Sequence, residues 1–201
     1  MYLIDILDRI RLPFRKDRES YLRLYDILGF YPHNISHYKR ALIHKSASMD
    51  KNSRTKRLEN NERLEFLGDA ILGAIVGDIV FQHFEGTREG FLTNARSKVV
   101  QRETLNRIAK EIGLVEMIHA AIVPNATHNS HLGGNAFEAL IGAIYLDRGY
   151  HACIKFMKKR ILKDYIDLNK MAYKEQNFKS KLIEWSQKNR VEAVFESTEQ
   201  H

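Results

Sequence analysis

Three acidic side chains, Glu62, Glu65 and Asp69, are spaced i, i+3, i+7 in the segment NNERLEFLGDAILGAI, residues 60–75. On an α-helix, at ~100° per residue, they fall within about a 60° arc of one face. Leu64, Leu67, Ile71 and Leu72 lie off that arc and can face a core. Like charges one turn apart repel by a few tenths of a kcal/mol, roughly, for each pair. No lysine or arginine sits on the arc to relieve them, so a cation is expected there. Glu62 also has a structural explanation, because an acid in the first helical turn complements the helix dipole. Asp69 lacks that explanation: aspartate is a mediocre helix former, and it stands mid-helix after Gly68 in an apolar run.

A second set follows in GGNAFEALIGAIYLD, residues 133–147, where Asn135 and Glu138 are i and i+3 and Phe137, Leu140 and Ile141 turn toward a core. If the two helices pack side by side, Glu65, Asp69, Asn135 and Glu138 can converge. Four oxygen ligands without sulfur or imidazole suit a hard cation, Mg²⁺ or Mn²⁺. Such a cation keeps several waters and binds phosphate, which equips a site for metal-assisted phosphodiester hydrolysis.

The elements that must position these groups read as helices. In the 201 residues, apolar positions recur at three and four, as in Leu105, Ile108, Ala109 and Ile112, and no convincing alternating strand precedes residue 190. The expected architecture is all-α over about residues 18–168, after an amphipathic N-terminal extension at 1–17 that stops near Pro13. Polar loops are expected at 50–61 and 124–134, and a linker at 169–176. Within 177–201, Phe178–Asn189 is amphipathic and VEAVFES alternates as a strand. One helix and one strand cannot bury a core, so this end reads as a domain cut short, with Phe178 and Trp185 on the apolar face of its first helix.

Composition excludes other classes. Hydrophobic residues are 44% and charged residues 28%, ordinary for a globular protein and far from a disordered or collagen-like chain. The longest central apolar stretch, 70–77, is too short to span a bilayer, so no membrane partner is expected. A single cysteine, Cys153, forms no internal disulfide and fits a reducing, cytoplasmic compartment. The net charge of +7 lies wholly within 151–190, which carries 11 basic and 4 acidic residues. A basic segment on a neutral body points to a polyanion, nucleic acid before membrane.

The segment ERLEFLGDAIL at 62–72 resembles the signature of the ribonuclease III family. The likeness extends to ALIHKS at 41–46, LTNARSKVV at 92–100 and EALIGAIYLD at 138–147. NFKSKLIEWSQ at 177–187 is similar to the start of the double-stranded-RNA-binding domain that follows the nuclease domain in that family. The resemblance implies an all-α ribonuclease III endonuclease domain at 18–168 followed by an incomplete α-β-β-β-α double-stranded-RNA-binding domain. It implies a homodimeric endoribonuclease that cuts double-stranded RNA with Mg²⁺, leaving 5′-phosphate and 3′-hydroxyl ends with short 3′ overhangs. A role in processing ribosomal precursors and other structured RNAs goes with it, and no small-molecule cofactor. Carried onto this chain, Glu65, Asp69, Asn135 and Glu138 match the metal ligands. Asp69 and Glu138 match the positions called catalytic, and Glu62 matches a secondary acid. Phe66 stands where the family places an aromatic at the subunit interface. His44 and Arg96 match further family positions, and helix packing accounts for each as readily.

One position departs. The family usually has aspartate where this chain has Asn135, so the formal charge of the four ligands drops from about −4 to −3 and attraction for the cation weakens. A rival reading is therefore a non-catalytic double-stranded-RNA-binding or ribosome-associated protein that keeps the fold. A di-iron carboxylate bundle needs two Glu-x-x-His pairs, and the sequence offers one, Glu116 with His119. His128 and His131 form an H-x-x-H in a loop, two ligands where zinc needs more.

Overall fold

A computed structural model describes residues 12–48, 60–120, 132–173 and 178–192. Among the described residues, ten helices carry the architecture: α1 (Arg18–Leu28), α2 (Ile35–Ala41), α3 (Glu62–His83), α4 (Glu89–Val100), α5 (Arg102–Glu111), α6 (Leu132–Arg148), α7 (Tyr150–Phe156), α8 (Lys163–Tyr165), α9 (Leu168–Tyr173) and α10 (Phe178–Asn189). A π-helical turn, Met157–Leu162, joins α7 to α8, and short 3-10 turns occupy Leu12–Phe14, Lys45–Ser48 and Val115–Met117. No strand forms among the described residues; an isolated parallel bridge joins Ile43 to His119. The helical expectation holds.

The central helix is α6. Ten of its residues, from Gly133 to Ile144, are buried, because a helix that is apolar or small all round can only be satisfied inside. Against it lies α3, the longest of the described elements at 22 residues. The two cross almost backbone to backbone. A Cβ added at Gly68 would overlap the Glu138 carbonyl, and one added at Gly142 would overlap the Leu64 carbonyl. Glycine is the residue that permits this approach.

The far end of α6 is pinned to α2. Asp147 accepts hydrogen bonds from the backbone N–H of His33 (3.0 Å) and Asn34 (2.7 Å) and from the Tyr38 hydroxyl (2.9 Å). Burial and the adjacent Asp147 push the Tyr38 phenol well above its ordinary range. Cys153 is buried, and burial pushes its thiol up to about 12, so it behaves as a core residue rather than a nucleophile.

The stretch expected as a linker from residue 169 begins instead with α9. Met171 and Ala172 pack on the core, Tyr173 sits edge-on to Phe84, and the Lys98 ammonium donates to the Ala172 carbonyl at 2.9 Å. The apolar spacing of this single helix is too short for periodicity to announce it. In α10, Trp185 and Leu182 are exposed. Most of the expected strand at 191–197, the loop histidines His128 and His131, and most of the N-terminal extension lie outside the described residues. None of the described helices is long and apolar enough to cross a membrane.

Candidate metal centre

The acidic groups gather where α3 crosses α6. Glu65, Asn135 and Glu138 line one polar recess of about 160 Å³, together with Gly134, Leu105 and Arg102. Asp69 is exposed beside it and its charge acts on both Glu65 and Glu138. The crossing glycines explain the proximity: Gly68 lies between Glu65 and Asp69, and its neighbour across the contact is the Glu138 backbone. The geometry that unites the two helices therefore also brings their acids together.

The electrostatics carry the mark of an uncompensated cluster. Burial and then the neighbouring charges of Asp69 and Glu65 push Glu138 up from 4.5 to about 7. Burial also raises Glu65, with Glu62 and Asp69 adding to the effect and Lys45 and Arg102 opposing it. Half-buried carboxylates that resist ionisation next to one another form a donor set that a hard divalent cation satisfies. The fit is one of donor chemistry and charge. Among the described residues, no three acidic, histidine or cysteine side chains are already closed around one point, so these side chains would have to turn inward to hold an ion.

Glu62 behaves differently. Its backbone N–H donates to Asn60 Oδ1 at 3.1 Å, its carboxylate accepts from Asn60 Nδ2 at 2.9 Å, and Lys45 Nζ is 3.8 Å away. It is exposed and tied to the start of α3 by a reciprocal pair of bonds, which favours the structural side of its two readings. His44 is likewise engaged locally, its Nδ1 2.9 Å from Ser46 Oγ.

Arg102 was not anticipated from the sequence. It opens α5, a helix whose packing on α6 is invisible to spacing along one segment, and it supplies positive charge to the recess without an ion pair to any described acid. Asn106, one turn further along α5, was also missed. Its Oδ1 accepts the Gly134 backbone N–H at 2.7 Å, satisfying an otherwise orphaned donor in the first turn of α6. That bond sets the helix start from which Asn135 and Glu138 project. Asn106→Ala is expected to cost about 1 kcal/mol of stability, read by chemical denaturation; an unchanged midpoint would show that the bond contributes nothing.

A stripe of α3 beside the acids is apolar and uncovered. Phe66 is 82% and Phe81 68% exposed, with Ala70 and Ala74 exposed between them. The basic segment presents Lys158, Lys159 and Lys163 outward, while the Arg160 guanidinium is taken up by the Asp26 and Ile27 carbonyls at the end of α1.

The ribonuclease-III-like family model matches residues 34–165. The chain is 65% identical over 194 residues to Ribonuclease 3 of Bacteroides fragilis, covering 96% of this chain and 66% of that protein. It is 66% identical over 192 residues to Ribonuclease 3 of Phocaeicola vulgatus, covering 96% and 61%. The chain thus spans just under two thirds of the length of these relatives. Among solved structures, the nuclease domain of ribonuclease III from Campylobacter jejuni superposes with a TM-score of 0.62 at 30% identity, over 76% of this chain and all of that one. A second structure of that domain, described as flexible in a region involved in dimer formation, gives 0.61 at 30% identity over 71% and 96%.

Proposed function

The chain belongs to the ribonuclease-III-like family, and on that premise we propose that it is a metal-dependent endoribonuclease acting on double-stranded RNA. The observation that carries this reading is the meeting of Glu65, Asn135 and Glu138 in one recess with Asp69 beside it. Glu65, Asp69, Glu138 and the Asn135 amide oxygen would hold Mg²⁺, with Mn²⁺ as a substitute of the same hard-oxygen preference. A bound divalent ion supplies Lewis-acid stabilisation of a phosphate and lowers the pKa of a water. The protein's own part is to hold four oxygen donors on two helices locked at one crossing, and to admit the duplex backbone to the open side where Asp69 is exposed.

The uncovered stripe from Phe66 to Phe81 supports a second copy of the chain as partner, with Phe66 in the interface. Two copies bring two acidic recesses, one for each strand, giving staggered cuts with 5′-phosphate and 3′-hydroxyl ends. The duplex is recognised by A-form shape and backbone rather than base sequence. Structured cellular RNAs such as ribosomal precursors fit that requirement, in the reducing cytoplasm that suits a buried free cysteine.

Long duplex RNA incubated with the protein and Mg²⁺ tests the reading. The expected result is short duplexes with 5′-phosphates, lost on chelation. A mobility shift without cleavage in saturating Mg²⁺ or Mn²⁺ would overturn it in favour of the non-catalytic binder, the reading that Asn135 favours. For that residue, Asn135→Asp restores a fourth negative charge and is expected to lower the Mg²⁺ concentration for half-maximal cleavage, on the order of tenfold. Equal requirements would remove the idea that the amide weakens the site.

The raised carboxyl adds a pH dependence. In the unfolded chain Glu138 ionises near 4.5, in the metal-free fold near 7. Ionisation is thus disfavoured by folding, and the metal-free protein loses stability as pH rises through that window. Below pH 7 an incoming ion must displace a proton. The thermal stabilisation conferred by Mn²⁺ is therefore expected to be larger at pH 8 than at pH 6, with proton release on binding at the lower pH. A metal-induced shift independent of pH would contradict the assignment of Glu138 as a ligand.

A further inference from the structure

Sharing no lining residue with the acidic recess, a second cavity of about 280 Å³ lies between α7 and the end of α1. Its floor is apolar, formed by Leu28, Phe30, Ala152 and Phe156. Its rim is basic. His151, Lys155 and Lys159 stand at i, i+4 and i+8 along one wall, and His33, Arg148 and Arg160 complete the mouth. No acidic residue among the described residues lines it. Arg160 and Arg148 are fixed in place, the first by the carbonyls ending α1, the second by the Tyr31 carbonyl at 2.6 Å with its guanidinium 4.7 Å above the Phe30 ring. The side chains of His151, Lys155 and Lys159 make no ion pair or hydrogen bond with any described residue. Two lysine ammoniums and an imidazole thus share one exposed wall with no described acid lining the cavity.

The backbone beneath this wall is unusual. The π-helical turn at Met157–Leu162 begins where α7 ends. Such turns are rare and concentrate at functional sites. Widening the turn swings consecutive residues closer in direction, and here Lys159 and Arg160 both reach the same mouth.

We propose that this cavity binds a nucleoside phosphate, the ring over the apolar floor beside Phe30 and Ala152 and the phosphate among Lys155, Lys159 and His151. The charge complementarity selects an anion, and lysine ammoniums suit the multiple charge of a phosphate. The apolar floor selects a ligand with an apolar ring over a bare ion. The volume lies just below the usual range of small-molecule pockets, room for one nucleotide at most and not for a helix or a strand of protein. The ligand is either a free nucleotide or the 5′-phosphorylated terminal nucleotide of an RNA strand, which share this chemistry. The site stands apart from the acidic recess and does not depend on nuclease activity.

Isothermal titration with adenosine 5′-monophosphate, in a chelator so that no metal draws phosphate to the acids, tests the proposal on the full chain. Adenosine and inorganic phosphate serve as probes of each half alone. The monophosphate is expected to bind about tenfold or more tighter than either half, and Lys155→Ala with Lys159→Ala to weaken it about tenfold, with an unchanged melting temperature. A 5′-phosphorylated and a 5′-hydroxyl oligoribonucleotide, in competition with the monophosphate, identify the source: displacement by the phosphorylated strand alone assigns the terminal nucleotide, and no displacement by either assigns a free nucleotide. Absence of binding at millimolar monophosphate, equal binding of inorganic phosphate, or indifference to the double substitution would overturn the proposal.

Discussion

Glu138→Gln is expected to reduce the rate of duplex cleavage on the order of 10³-fold while leaving the metal-free protein as stable as, or more stable than, the native chain above pH 7. The two effects have one cause. Glu138 is held near the recess with its carboxyl raised to about 7 by burial and by Asp69 and Glu65, so its ionised form is a standing cost to the fold. The amide keeps the shape and removes that charge, and with it a ligand that the cation needs. Single-turnover cleavage and thermal melts at pH 8 in a chelator check both halves. A variant that loses activity and melting temperature together would make Glu138 a structural residue, and one that keeps full activity would remove it from the site.

The second large effect falls on Gly68. In a helix interior, glycine to alanine ordinarily stabilises by up to about 1 kcal/mol. At Gly68 the added methyl would overlap the Glu138 carbonyl, and neither backbone can yield without separating α3 from α6. Gly68→Ala is therefore expected to cost about 3 kcal/mol or more, a fall in melting temperature of roughly 6–12 °C for a chain of this size. Because the same crossing sets the acids, cleavage should fall in the folded fraction too. Gly90→Ala, in a helix where the new methyl meets nothing, is the control of opposite sign. A melting temperature unchanged by Gly68→Ala would mean that the close crossing does not exist.

Gly68 and its counterpart across the crossing, Gly142, illustrate where sequence reasoning reached and where it stopped. The i, i+3, i+7 acids on α3 and the i, i+3 pair on α6 were legible because both spacings are properties of a single helix. Spacing also separated the core faces of the two helices, and Leu64, Leu72, Phe137, Leu140 and Ile141 are indeed buried. What makes the acids neighbours is a contact between segments some seventy positions apart, and spacing along the chain carries no record of it. A signal was present: Gly68 and Gly142 sit in apolar helix interiors, where glycine is unfavourable unless something approaches closely. The same limit hid Arg102 and Asn106, which reach the site from a third helix. Glu62 was legible in both its roles, and its bonds to Asn60 weight the structural one. The segment at 168–173 failed for another reason. Its six residues are too few for a period to emerge, and only docking against the core makes them a helix.

The most direct measurement is the position of an ion. Crystals of the protein grown at pH 8 and soaked in Mn²⁺ give an anomalous difference map that reports where the metal sits and which atoms surround it. The expected result is a peak at the crossing of α3 and α6, with oxygens of Glu65, Asp69, Asn135 and Glu138 turned toward it and Arg102 displaced outward. An empty recess at saturating Mn²⁺, with the Arg102 guanidinium closed onto Glu138 in its place, would contradict the metal centre and the hydrolysis that depends on it.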